Sequence, residues 1–93
     1  MYVNRRTFIV KGRKMDEAVA LFKDLVKDFP HPVRLYVTET GPFDILVWEG
    51  EYENLAEYER LTKEYIERIT PEWWEKWDSV TENGGSNEIW RLV

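Results

Sequence analysis

Two glutamates interrupt an apolar run in the middle of the chain, where charged side chains are unexpected. The segment ILVWEGEY, residues 45–52, places Glu49 and Glu51 at alternate positions. An enclosed carboxylate can have its pKa moved toward the working pH and act as a general base. It can instead form a structural ion pair with an arginine. Structural ion-pair networks resemble catalytic sites, so the residue types do not distinguish the two roles. The sequence leaves both roles open for Glu49, and Glu51 is expected nearer the rim.

Further polar and aromatic side chains form a candidate site with Glu49. Arg6 is a candidate anion anchor, because a guanidinium can hold a substrate carboxylate through two hydrogen bonds. Tyr36 is a candidate hydrogen-bond or proton donor, although it can also simply pack and bond to a neighbour. We predict catalytic roles for Glu49 and Tyr36, and ligand contacts from Asn4, Arg6, Phe8, Trp74 and Arg91.

The spacing of the tryptophans near the carboxyl end predicts which of them are buried. Trp73, Trp77 and Val80 follow one helical stripe. This spacing predicts that they seal a short helix against the core or the subunit boundary. Trp74 lies off that stripe. It is therefore the aromatic residue that we expect to be exposed and available to a ligand.

The sequence carries no recognisable metal or cofactor motif. It has no cysteine, and its single histidine, His31, lies between two prolines, where we expect a solvated loop residue. A zinc site needs more ligands of these types, and a histidine-bound haem would need His31 to lie in the interior. Phosphate-loop and dinucleotide fingerprints are also absent. We therefore predict no metal site and no cofactor; the sequence leaves carboxylate-only binding of Mg²⁺ or Ca²⁺ open, although it has no EF-hand or similar spacing.

Length and charge limit the class of protein. A chain of 93 residues predicts one domain, residues 1–93. It is small enough that a partner subunit would help to stabilise it. A net charge of −5 argues against nucleic acid as a partner. No apolar run approaches a membrane span, so we expect a soluble protein without a membrane partner. The absence of cysteine fits a reducing compartment, so we expect a cytoplasmic protein. The absence of glutamine beside abundant Glu, Lys and Arg is typical of thermostable or designed proteins.

Hydrophobic periodicity predicts an α+β protomer. Prolines and glycines divide the chain into strands with period two and helices with period 3.6. The order β-α-β-β-α-β, with an added short helix, is that of the ferredoxin-like fold, in which a four-stranded antiparallel sheet in the order 4-1-3-2 carries its helices on one face. The predicted strands are 2–10, 33–38, 43–52 and 88–93; the predicted helices start at Met15, after Asn54 and at Pro71, and a turn is predicted at 83–87.

Alternation assigns side chains to the two faces of this sheet. A charge in a central strand should avoid the helix-packed face, which places Glu49 and Val47 on the open face and Trp48 under the helices. Strand one contains two adjacent arginines, so its assignment is ambiguous. We predict that Asn4, Arg6 and Phe8 lie on the open face, with Arg6 near Glu49, and that in strand four Trp90 points inward and Arg91 outward.

The open face of the sheet is too apolar to remain exposed to solvent and too charged to form an ordinary hydrophobic core. A second copy packed on it through a two-fold axis would cover it and give a homodimeric α/β barrel. The interior of that barrel would hold a pocket from each subunit, with Glu49 paired to Arg6 or Arg91.

Three segments carry a resemblance to a known family. They are RRTFIVKGRKMDEAVALF from Arg5, TETGPFDILVWEGEYENLAEYE from Thr38 and TPEWWEKW from Thr70. Their order and spacing resemble NIPSNAP-like proteins of the dimeric α/β barrel superfamily. The resemblance implies a ferredoxin-like protomer and a homodimer, in a superfamily that includes antibiotic-biosynthesis monooxygenases. Asn4 and Phe8 stand where similar proteins often carry an acid and a tyrosine, and Gly50 where an aromatic is common.

Two functions follow from these observations. The first is cofactor-independent binding or transformation of a small organic molecule in the barrel pocket. The alternative is a catalytically silent, thermostable dimer or engineered scaffold, whose interior charges only specify assembly. A void of about 300 Å³ in the barrel interior would distinguish the binding function from the scaffold, because drug-sized ligands need that volume.

Overall fold

The computed structural model describes all 93 residues and shows the predicted α+β order with a third helix before the last strand. The sheet is antiparallel, with the order β2-β3-β1-β4, which confirms the predicted ferredoxin-like topology. The elements are β1 (Tyr2–Val10), α1 (Met15–Val26), β2 (Val33–Val37), β3 (Ile45–Tyr52), α2 (Leu55–Arg68), α3 (Pro71–Val80) and β4 (Thr81–Arg91).

Local sequence signals explain where the last two helices begin. The Asn54 side chain accepts a hydrogen bond from the Glu57 N–H at 2.8 Å, and the Thr70 hydroxyl accepts one from the Trp73 N–H at 3.1 Å. These bonds satisfy amide groups that the first helical turn leaves free. Pro71 occupies the first turn of α3. A proline loses no helical hydrogen bond at that position.

One face of the sheet carries all three helices. Eleven buried hydrophobic residues form a single cluster that joins α1, α2 and α3 to the inward side of β3. Aromatic rings fill its centre: the Phe22 ring lies 5.3 Å from Phe8 and 5.6 Å from Trp77. Trp77 and Val80 are buried and Trp73 packs against them, which confirms the predicted stripe. No helix is long and apolar enough to cross a membrane.

The turn predicted at residues 83–87 was wrong, because β4 begins at Thr81 directly after α3. Thr7 pairs with Ser86 and Ile9 with Glu82, so three residues of β4 lie opposite one residue of β1. This extra length forms a bulge. Within it, Gly84 and Gly85 adopt φ angles of +114° and +87°. The glycines supply the conformation that bends the strand, and pairing continues on both sides of them.

The face assignment of β3 is confirmed and that of β1 is wrong. Leu46, Trp48 and Gly50 are buried under the helices, as predicted. Directly paired residues lie on the same face of a sheet. β1 pairs Asn4 with Gly50, Arg6 with Trp48 and Phe8 with Leu46. Asn4, Arg6 and Phe8 therefore lie on the helix side, and Arg5 takes the open-face position opposite Glu49.

The face assignment of β4 is also wrong. Trp90 pairs with Val3, which lies on the open face, and Arg91 pairs with Tyr2, which lies on the helix side. The pairing is regular from Ser86 to Arg91, so the side chains do alternate there; which set faces the helices is decided by the register with β1, which the sequence does not reveal.

Candidate functional site

A cavity of about 170 Å³ lies between the sheet and the helices. Fourteen of its 17 lining residues are hydrophobic, and the other three are Asn4, Arg6 and Thr62. Trp74 and Ile66 line the cavity and remain 44% and 50% exposed, so they mark its mouth. No carboxylate and no histidine line it. The cavity is therefore an apolar space with two polar residues, Asn4 and Arg6, on its sheet wall and a third, Thr62, on its α2 side.

Trp48 can form part of that wall because residue 50, two positions later in β3, is a glycine. A Cβ atom at Gly50 would lie 2.6 Å from Cζ2 and Cη2 of the indole, so only a glycine lets the ring lie over the strand. Trp48 is 5% exposed, and its Nε1 has no hydrogen-bond partner. A buried N–H without an acceptor costs about 1–3 kcal/mol. The site therefore contains an unused donor.

Arg6 lies beside Trp48 and is held by Asn4. The Arg6 Nε donates to Asn4 Oδ1 at 3.2 Å, while Asn4 Nδ2 donates to Asn87 Oδ1 at 2.6 Å and to the Glu88 carbonyl at 2.8 Å. Asn4 is fully buried, so these bonds satisfy its amide and join β1 to β4. Arg6 takes part in none of the ion pairs of the chain.

Tyr52 lies at the buried end of β3 and also lines the cavity. Burial raises the pKa of Tyr52 to about 12, and the nearby charge of Arg6 opposes this effect. The cause is that a phenolate would lose its solvation in the buried position. The phenol is therefore protonated at neutral pH and can act only as a hydrogen-bonding group.

This raised pKa predicts a loss of stability in alkali. An unfolded tyrosine ionises near pH 10, so the stabilising contribution of neutral Tyr52 is complete below about pH 10 and declines between about pH 10 and 12. Tyr52→Phe should abolish the part of the decrease in unfolding free energy that comes from ionisation of Tyr52, which amounts to about 2–3 kcal/mol. Urea unfolding of both proteins at pH 8 and pH 11.5 measures it. An equal decline in the two proteins would contradict the assignment.

Glu49 and Tyr36 lie on the opposite, open face of the sheet. Glu49 accepts a hydrogen bond from Arg5 Nε at 2.8 Å, forms a 2.6 Å ion pair with Arg5 Nη2, and accepts a bond from the Tyr36 hydroxyl at 3.0 Å. The predicted pairing of Glu49 with Arg6 or Arg91 was therefore wrong, since Arg6 points to the other face.

The bonding of Glu49 makes it a weak base. Burial of the carboxylate raises its pKa, but the hydrogen bonds from Arg5 and Tyr36 outweigh burial and hold that pKa below the ordinary value. The bond to Glu49 is also the main reason that the pKa of Tyr36 is raised. Both carboxylate oxygens are occupied, so the geometry favours a structural role over proton transfer.

The candidate residues therefore divide between two places. Asn4, Arg6, Phe8 and Trp74 come together around the cavity. Glu49 and Tyr36 share the open face, and Arg91 lies near the end of β4, in neither group. Sequence reasoning missed Trp48 as a site residue, although its inward position and Gly50 two residues later were visible signals.

His31 is not the solvated loop residue that we predicted. Its side chain is 26% exposed, and Nε2 lies 3.0 Å from Glu57 Oε1. The ring also packs edge-on against Phe29, with centroids 6.2 Å apart. No group of three or more His, Asp or Glu side chains is arranged to hold a metal ion.

Solved structures share this fold across the whole chain. A NIPSNAP domain protein from Burkholderia xenovorans superposes with a TM-score of 0.78 at 13% identity, covering 100% of this chain and 95% of the other. A NIPSNAP family protein from Agrobacterium tumefaciens gives 0.79 at 17% identity, covering 100% and 88%. An antibiotic biosynthesis monooxygenase gives 0.73 at 17% identity, covering 100% and 99%.

These likenesses confirm the fold that the three sequence segments predicted. Identities below one fifth show the fold alone, because one fold can carry many functions. No family model and no curated protein matches the sequence.

Proposed function

We propose that the protein binds a small organic molecule of about one ring in the cavity between its sheet and its helices. The cavity itself carries this proposal, with its volume of about 170 Å³. An apolar protein cavity of about 150 Å³ binds benzene. The cavity falls short of the roughly 300 Å³ at which drug-sized pockets begin, so a drug-sized ligand is excluded there. The size therefore fits a single ring, and the exposed residues at the mouth give it a route in.

The geometry supports binding better than a reaction. No carboxylate or imidazole lines the cavity. Proton abstraction therefore has no base there. The Arg6 and Thr62 side chains can orient a molecule by hydrogen bonding, and Asn4 holds Arg6 in place.

Toluene tests the proposal, because it is one ring without a polar group. Titration followed by NMR shifts of the tryptophan indole N–H groups should show saturable binding. Gly50→Ala should weaken it, because the added methyl group pushes the Trp48 ring off the strand toward the cavity. Gly12→Ala is the matched control, since a Cβ there meets no atom within 4 Å. If no single-ring compound binds, the alternative of a catalytically silent dimeric scaffold is favoured.

The proposal includes a homodimer formed through the open face. Four charged residues cross this face in one row, one from each strand: Arg34, Glu49, Arg5 and Glu88. Around that row lie half-buried apolar side chains such as Val47 and exposed ones such as Trp90, which is 54% exposed. A second copy would remove this surface from water and surround the charges with partners.

The charges in this row alternate in sign, and this alternation favours one direction of the two-fold axis that would relate the two copies. An axis parallel to the strands places β2 of one copy over β4 of the other, so Arg34 faces Glu88 and Glu49 faces Arg5. An axis across the strands places each strand over its own copy and sets like charges opposite each other. Because like charges at an interface destabilise it, we propose the parallel axis.

A further inference from the structure

We infer that the ligand of the cavity carries an anionic oxygen group on its ring, as an aromatic carboxylate does, and that Arg6 and Trp48 Nε1 bind this group. The inference rests on the proposed binding function and names the chemical class of its ligand. Three observations carry it: the free donors of Arg6, the free donor of Trp48, and the position of these two residues beside each other.

Arg6 presents a cation without an anion. A guanidinium has five N–H donors. The structure uses one of them, on Nε, for Asn4. The remaining four belong to Nη1 and Nη2, the edge that matches the two oxygens of a carboxylate. The Asn4 amide is already occupied by Asn87, Glu88 and Arg6, so it positions the guanidinium and offers no competing acceptor to the ligand.

Trp48, on the neighbouring strand, supplies a second donor. Its Nε1 is buried and unbonded. An indole N–H needs an acceptor, because it cannot accept a bond itself. Arg6 and Trp48 are directly paired across β1 and β3. Their side chains therefore start from neighbouring positions on one face. An oxygen-bearing group against this part of the sheet would satisfy donors from both residues.

The remaining cavity wall fits the rest of such a molecule. It is lined by aromatic and aliphatic side chains, among them Phe22 and Trp77. These side chains suit a planar ring. A cationic ligand would face Arg6 without any carboxylate in the lining, and like charges repel. The charge of the site therefore selects against amines and for anions.

Benzoate and toluene provide the test, since they differ by the carboxylate on one ring. At pH 7 the native protein should bind benzoate at least about tenfold more tightly than toluene, as expected when a hydrogen bond to a charged group is added. Isothermal titration calorimetry, supported by the indole N–H shifts, measures both. A downfield shift of the Trp48 indole proton with benzoate and not with toluene is also expected.

Two substitutions of Arg6 test whether its guanidinium causes the tighter binding of benzoate. Arg6→Met should lower the affinity for benzoate at least about tenfold and leave that for toluene unchanged, because it keeps the stem and removes the charge. Arg6→Lys keeps the charge without the planar fork and should fall between the two. Arg60→Met, on the exposed side of α2, is the control and should change neither affinity.

The outcomes separate this inference from the binding function. Equal affinity of the native protein for benzoate and toluene would overturn the inference and leave ring binding intact. The inference would also fail if Arg6→Met weakened both compounds equally. Binding of neither compound by the native protein would overturn the proposed function itself.

Discussion

Replacing Val47 with lysine should convert the proposed dimer to monomers. Val47 lies in β3 between Tyr36 of β2 and Thr7 of β1, near the centre of the open face. A lysine there would be buried between two sheets without a carboxylate of its own, a situation that costs about 3–5 kcal/mol. Even about 3 kcal/mol weakens association by about 150-fold. Size-exclusion chromatography with light scattering over a dilution series measures the change.

A lysine elsewhere provides the comparison for this result. Leu55→Lys adds the same charge at a position that is 46% exposed at the start of α2, away from the sheet face, and should leave the dimer intact. An undisturbed Val47→Lys dimer would show that another surface forms the interface. A native protein that is monomeric at all concentrations would refute the homodimer.

Gly85→Ala should destabilise the protein by about 3 kcal/mol, the sum of a backbone cost and a steric cost. Gly85 has a φ of +87°. A left-handed conformation of this kind costs an L-residue about 1–2 kcal/mol. The added methyl group would also collide with the Thr7 carbonyl oxygen of β1, which belongs to the backbone and cannot rotate away. Such overpacking costs about 1–3 kcal/mol.

Thermal unfolding measures this loss, and its midpoint should shift down by roughly 10 °C or more. Gly12→Ala is again the matched control, since a methyl group there meets open space. Its effect should stay within about 0.5 kcal/mol. A Gly85→Ala protein as stable as that control would mean that β4 does not form the bulge against β1.

The same glycine shows why part of the fold could not be predicted. Gly84 and Gly85 are the residues that a tight turn would use, and the sequence carries no further sign that they bend a strand. Only the pairing of Ser86 with Thr7 and of Glu82 with Ile9 identifies a bulge. In contrast, the start of α3 at Pro71 and the strict alternation of β3 were readable, because they depend on local rules.

The candidate site was only partly predictable for a related reason. Arg5 and Arg6 are adjacent and chemically identical, so the alternation of β1 fits either face equally well. The choice is made by Asn4, whose buried amide finds its acceptors on β4, and that contact depends on a register the sequence does not reveal. Four predicted ligand contacts still came together at the cavity, although on the other side of the sheet from Glu49.

The adjacency of these two arginines has an evolutionary consequence. In the two proposals, the Arg5 guanidinium lies at the dimer interface and the Arg6 guanidinium binds the ligand, on opposite faces of the same β-sheet. Selection could then retune which molecule is held without altering how two copies join. Deleting one residue of β1 after Arg6 would exchange the faces of the two arginines at once, so this strand should tolerate length changes far less than substitutions.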